Sequence, residues 1–150
     1  MYYILSILLI IGLDQWSKYL AVTKLQPIGS YHLWPGVFHL TYAKNTGAAF
    51  SIFRGKQTFL ILLTAAIIIV ICGMLYKNIQ DKGPFLLNVA LVSVIGGAIG
   101  NLIDRVRLNY VIDYFDFTLI NFAIFNVADI FVVCGSILLA LLIIFGVVKT

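Results

Sequence analysis

Four stretches of this chain, residues 2–22, 59–76, 85–103 and 127–148, are long and apolar enough to cross a bilayer as helices. A hydrocarbon core of about 30 Å takes about 20 residues of helix. Backbone in lipid must satisfy its own hydrogen bonds, so these stretches fix the fold class as an all-α polytopic membrane protein with four transmembrane helices. At 62% hydrophobic and 11% charged residues over 150 positions, no soluble class accommodates the chain, and one domain over 1–150 is expected. The first stretch has neither a basic n-region nor a small-x-small cleavage site, so it reads as a spanning helix rather than a signal peptide. The net charge of +4 is spread through apolar sequence and makes no basic face, which excludes a nucleic-acid partner.

The connections differ in character. Residues 77–83 form a short polar hairpin loop, whereas residues 23–57 are long and patterned. Within them, residues 37–43 alternate Phe38, Leu40 and Tyr42 against Val37, His39 and Thr41, which is a strand signature after a Pro35-Gly36 turn. A second run at 48–53, following Asn45-Thr46-Gly47, can pair back on it as a hairpin. A small antiparallel sheet between helices 1 and 2 is therefore expected. Residues 105–126, before the last span, are rich in aromatics and Asp.

Four antiparallel spans bring the end of the first, the start of the second, the end of the third and the start of the fourth to one membrane face. Asp14, Asp104, Asp113, Asp116 and Asp129 all fall there, with Asn45, Asn101, Asn126 and Arg105, and only Asp81 falls on the other side. At about 1.5 Å of rise per residue, Asp14 lies roughly 18 Å along its span, still within hydrocarbon. Ionisable groups at that depth are functional candidates by default. Trp16, Tyr19, Trp34, Tyr42, Tyr110, Tyr114 and Phe115 share this face, as an interfacial belt would. The cations are also commoner on it, and a positive-inside count alone would turn it to the cytoplasm.

Several chemistries can be struck off. All six acidic residues are Asp, so no Glu-dependent zinc helix exists. An intramembrane serine protease needs a His within the membrane, but His32 and His39 both lie in the long loop, where they read as strand residues rather than metal ligands. Cys72 and Cys134 sit alone in apolar runs and read as buried packing residues; no metal or cofactor is expected. Gly96-Gly97-Ala98-Ile99-Gly100 has the spacing of close helix packing. What survives is carboxylate chemistry. Two aspartates in a low-dielectric pocket share a proton, so that one activates water while the other donates to a carbonyl, the means of hydrolysing an amide bond. The competing structural reading pairs these groups with Lys18 or Arg105, Asp104 beside Arg105 first of all, while Asp129, inside its helix, caps little. A second functional class, a small proton-coupled transporter or channel relaying through Asp14 and Asp129, needs a polar path that a second span offering only Thr64 and Cys72 does not supply.

Five motifs in order, DQWSK at 14–18, NTGAAFS at 45–51, GNLIDR at 100–105, VIDYFD at 111–116 and FNVAD at 125–129, make the chain resemble the bacterial lipoprotein signal peptidases, also called signal peptidase II. The resemblance implies an aspartic endopeptidase that cuts the signal peptide from prolipoproteins before a diacylglyceryl-modified cysteine. It implies a catalytic pair at Asp113 and Asp129. Asp116 is three residues from Asp113; the family position, eight residues after Arg105, selects Asp113, leaving Asp116 as a surface or capping carboxylate. Asn101, Asp104, Arg105 and Asn126 are implied to line the site and orient the aspartates or substrate, and Asp14, Lys18, Asn45 and Gly47 to belong to the same polar cluster. The family places the site at the extracytoplasmic face of the bacterial cytoplasmic membrane, against the charge count. Prolipoprotein substrates and membrane lipids are the implied partners, and a monomer is expected. The strand-forming loop, residues 37–53 with Trp34 beside it, would lie on the bilayer and cradle the substrate, and Ile130 and Phe131 bring bulk to the start of the last span.

Overall fold

The computed structural model describes residues 2–47 and 52–148. Helix α1 (Tyr2–Leu20) continues into a π-helical turn, Ala21–Leu25, and leads to strands β1 (Ser30–Trp34) and β2 (Phe38–Asn45). Helices α2 (Gln57–Gln80) and α3 (Phe85–Leu108) follow, then β3 (Val111–Asp116), a 3-10 turn at Thr118–Ile120 and α4 (Val127–Ile144). Each of the four helices is long and apolar enough to cross a membrane. The chain is thus a multi-pass membrane protein with a small antiparallel sheet at one end of its helices.

Helix ends depart from the apolar stretches for local reasons. α3 runs on to Leu108, past the apolar boundary at 103, because Asp104 and Arg105 are buried against partners instead of being solvated. It stops at Asn109, whose φ of 63° is the left-handed conformation that ends helices. α2 likewise extends to Gln80, since nothing in Lys77–Gln80 breaks a helix before the turn through Lys82 and Gly83. α4 ends at Ile144, short of 148, where Gly146 (φ +66°) allows the amides of Val147 and Val148 to fold back onto the Leu142 carbonyl.

α3 is the hub. Most of its span is buried, and α1, α2 and α4 each pack principally against it. Lipid tails give helices no hydrophobic reason to associate, so close backbone approach and polar contacts must hold them. The glycines supply the approach: a Cβ on Gly96 would stand 2.8 Å from Ile10, one on Gly97 would collide with the Ala128 carbonyl oxygen, and one on Gly135 would meet the Ala90 carbonyl oxygen at 2.8 Å. Packing, as expected, is what this glycine run does. Ile10, Leu75, Leu87, Leu91, Val92, Ile95 and Leu142 form the apolar core between the helices. At the end away from the sheet, Asn78 donates to Asn88 Oδ1 at 2.8 Å and Asn88 to the Tyr3 hydroxyl at 2.9 Å, tying α2, α3 and α1 together.

Cys72 and Cys134 are exposed on their helices, not buried. An apolar run in a spanning helix faces lipid on one side and protein on the other, and hydrophobicity does not distinguish the two.

The sheet has the order β1-β2-β3. β2 forms over Phe38–Asn45, where a strand was expected; the partner expected for it was the run at 48–53. Both its edges are taken, by β1 (Ser30 opposite Thr41, His32 opposite His39) and by β3 (His39 opposite Asp116, Ala43 opposite Asp113). Of that expected partner run, residues 48–51 lie outside the described residues, and Ile52 and Phe53 sit in a turn. The third strand therefore comes from the α3–α4 connection, and it delivers Asp113 beside the first sheet hairpin. His32 and His39 stack across β1 and β2 with ring centroids 4.0 Å apart, the strand role the sequence suggested. Ile112 and Tyr114 of β3 pack with Ala21 and Leu25, seating the sheet on the end of α1.

Candidate active site

Five elements converge at the sheet end of the bundle, each for a local reason. β3 begins two residues after the left-handed Asn109, which turns the chain back so that Asp113 enters the protein, where it is only 2% exposed. Asp113 Oδ1 accepts from Asn126 Nδ2 at 2.7 Å and Oδ2 from Asn45 Nδ2 at 2.9 Å. Asn45 ends β2, and its own oxygen accepts the Gly47 amide at 2.9 Å, which fixes the amide with its NH₂ toward Asp113.

α4 begins at Val127, immediately after Asn126, so Asp129 is the third residue of the helix and lies in its first turn. The two residues form a capping box: Asn126 Oδ1 accepts from the Asp129 amide at 3.0 Å, and Asp129 Oδ2 accepts from the Asn126 amide at 3.1 Å. Asp129 does cap, contrary to the sequence reading, and its other oxygen accepts from Asn101 Nδ2 at 2.8 Å.

Asp104 also departs from the expected pairing. Its ion-pair partner is Lys18 (3.0 Å), not its neighbour Arg105, because successive helical residues point 100° apart. Lys18 also pairs with Asp14 one turn away at 2.9 Å, and these charges are buried: Asp14 is 0% and Lys18 2% exposed. Asp14 Oδ1 accepts from the Ala128 amide at 3.0 Å, joining α1 to the first turn of α4, while Asp104 Oδ2 accepts from the Ile112 amide at 3.1 Å, joining α3 to β3. Arg105 points the other way, donating to the Gly47 carbonyl at 3.2 Å.

A cavity of about 480 Å³ opens at the meeting point. Asn45, Asn101, Arg105, Asp113 and Asp129 form its polar wall; Ile124, Ile130, Val133 and Cys134 belong to the apolar one. Of the residues singled out in the sequence, Asp14, Lys18 and Asp104 lie behind this cavity, and Gly47 contributes through its backbone. Asp116 is apart, accepting from Thr41 Oγ1 at 2.8 Å within the sheet. Three contributors escaped sequence reasoning. Gln15 donates to Asp14, Asp104 and the Gly100 carbonyl; its signal was a lone amide inside the quoted DQWSK motif. Tyr114 donates to Ser17 Oγ at 2.6 Å, and Gly100 leaves room for the Asp14 carboxylate, which a Cβ would strike.

Burial, and next the charge of Asp129, push the Asp113 carboxyl up to about 7, against the opposing effect of the Asn45 and Asn126 donors and the Lys18 charge. Two carboxylates thus share one low-dielectric cavity, one of them holding a proton near neutrality. That is the requirement for general acid and general base to work together.

Comparison with known proteins places the chain in a family. Residues 6–145 match the family model described as Signal peptidase (SPase) II. The chain is similar to the lipoprotein signal peptidase of Caldanaerobacter subterraneus subsp. tengcongensis, 47% identical over 142 residues covering 95% of each chain. It is also similar to that of Clostridioides difficile, 42% identical over 97% of this chain and 96% of the relative. Two solved structures described as bacterial membrane enzymes superpose with TM-scores of 0.83 and 0.81 at 33% and 34% identity; each covers 95% of this chain, which in turn spans 87% and 92% of theirs. Membership supersedes the transporter reading: this membrane protein is a hydrolase, and it belongs to the signal peptidase II family of peptidases.

Proposed function

We propose that this chain removes signal peptides from membrane prolipoproteins, cutting the bond before the diacylglyceryl-modified cysteine with Asp113 and Asp129 as its catalytic pair. The observation that carries the reading is the cavity itself, where two carboxylates meet at a polar wall facing an apolar one. A signal segment is apolar, and its lipidated cysteine holds the scissile bond at the membrane surface, the level of this cavity.

Asp113, its carboxyl pushed up to about 7, holds the proton, and Asp129 takes the role of base. Asp129 takes a proton from water as its oxygen attacks the scissile carbonyl carbon, and the Asp113 proton passes to the carbonyl oxygen, giving a neutral gem-diol. Asp113 then recovers a proton from the gem-diol, the C–N bond breaks, and the nitrogen leaves with the proton from Asp129. The pair ends as it began. Asn101, Asn126 and Asn45 hold the carboxylates, and Arg105, facing the cavity, meets the substrate backbone.

The same reading makes residues 1–150 one peptidase domain, working as a monomer among lipids of the bacterial cytoplasmic membrane with the cavity at its extracytoplasmic face.

The test incubates purified protein with a diacylglyceryl-modified prolipoprotein and with its unmodified precursor, and locates the cut by mass spectrometry. One cut is expected, before the modified cysteine. Asp113→Asn and Asp129→Asn, folded, should lower turnover by roughly 10²–10⁴-fold, the range of general acid–base catalysis. Full activity in either variant removes that residue from the pair.

A further inference from the structure

Lys18 neither lines the cavity nor moves a proton in the scheme above, yet it is one of the most deeply buried side chains in the protein. An ammonium has three N–H donors. Those of Lys18 find Asp14 Oδ2 at 2.9 Å, Asp104 Oδ2 at 3.0 Å and Asn101 Oδ1 at 2.9 Å. The two carboxylates compensate its charge; the third contact acts on the site.

Asn101 Oδ1 receives a second donor, Asn126 Nδ2, at 3.1 Å. Its NH₂ is left to face Asp129 Oδ1 at 2.8 Å. Flipping this amide would set NH₂ against the Lys18 ammonium and the carbonyl oxygen against the Asp129 carboxylate, two repulsions at hydrogen-bond distance. The orientation propagates. Asn126 Nδ2 lies toward Asn101 Oδ1 and Asp113 Oδ1 together, while its oxygen stays on the Asp129 amide.

We propose that Lys18 is a positioning residue that locks the amide of Asn101, and through it that of Asn126, so that Asp129 and Asp113 both meet N–H donors. This rests on the peptidase reading of the pair. It is a role for a charge on α1 in a reaction whose acid and base sit on β3 and α4. The Lys18 charge also holds down the Asp113 carboxyl, so its loss leaves a trace in pH dependence that packing alone would not.

The experiment is a double-mutant cycle on the full chain in lipid, cleaving the diacylglyceryl-modified prolipoprotein: wild type, Lys18→Met, Asn101→Ala and the double variant. Lys18→Met should lower kcat about 100-fold, the scale of a misplaced catalytic group, with KM little changed. Its kcat/KM profile should have its limb near neutrality displaced to higher pH, because removing a cation favours the protonated carboxyl. In the Asn101→Ala background the same substitution should cost no more than about twofold, since coupled residues are not additive. An equal loss in both backgrounds, or an unmoved limb, overturns the proposal. Lys18→Met leaves Asp14 and Asp104 without their cation; if it does not fold, Asp14→Asn with and without Lys18→Met serves as the parent for the same cycle. Wild-type cleavage by Asp113→Asn would bring down the peptidase reading itself, whereas an additive cycle beside an inactive Asp113→Asn brings down only the role of Lys18.

Discussion

Asn126 offers a perturbation whose effects separate cleanly. Its side chain is 0% exposed and serves two masters: the oxygen caps α4 through the Asp129 amide, and the NH₂ donates to Asp113 at 2.7 Å. Asn126→Ala removes both. Loss of the cap costs about 1 kcal/mol, and a hydrogen bond to the protonated Asp113 of the resting protein contributes about 0.5–1.5 kcal/mol. Stability should therefore fall by roughly 1.5–2.5 kcal/mol. In the transition state, where Asp113 has given up its proton and is charged, the donor contributes about 1.5–3 kcal/mol, a turnover loss of roughly 10- to 150-fold. Asn126→Asp splits the pair: a carboxylate oxygen still accepts from the Asp129 amide, so the cap survives, but an acceptor now faces Asp113 where a donor stood. Cleavage of a diacylglyceryl-modified prolipoprotein and thermal unfolding, measured on the same preparations, should show the Asp variant losing at least as much turnover as the Ala variant with its helix start intact. An Asp variant that cleaves at the wild-type rate refutes the reasoning, since it would mean that the Asn126 donor does nothing for Asp113.

Two further outcomes follow from the cavity. The Asp113 carboxyl, raised from 3.8 to about 7, binds its proton more tightly in the folded chain. Its contribution to stability is thus present below 3.8 and is lost as pH rises to about 7. In a kcat/KM profile, activity falls as pH climbs past that value and Asp113 loses its proton, and the limb in kcat lies higher because an apolar substrate excludes more water; a flat profile between pH 6 and 9 contradicts Asp113 as the acid. Cys134 lines the cavity and is exposed, whereas Cys72 is exposed on α2. A bulky apolar thiol reagent should slow cleavage by Cys72→Ser and leave Cys134→Ser as it was; equal inhibition of both would place the substrate elsewhere.

The spans were legible because length and hydropathy are local, and so was the face on which the polar groups gather, because antiparallel order dictates it. Which strand pairs with which was not. β2 announced itself through Phe38, Leu40 and Tyr42, but its partners Ser30–Trp34 and Val111–Asp116 carry no mark saying they pair with it. The partnership Lys18–Asp104 was hidden for the same reason: 86 residues apart in the chain, they meet only because α1 and α3 pack side by side. The resemblance supplied Asn101 and Asn126 as residues of the site, but not the direction in which their amides point, which is set by four elements at once. Of the apolar wall of the cavity only Ile130 was read, as bulk at the start of the last span, because Val133 and Cys134 look like any other lipid-facing residues of a spanning helix.

The spacing of Asp14 and Lys18 bears on how this chain enters a membrane at all. Alone near the centre of an inserting helix, either charge costs about 2.5–3.5 kcal/mol. One helical turn apart and 2.9 Å from each other, they cancel within α1 before any later segment has been made. α3 then arrives with Asp104 for the same ammonium, and α4 closes when the Ala128 amide reaches the remaining oxygen of Asp14. The pair that shields α1 by itself is thus also the layer to which α3 and α4 are joined.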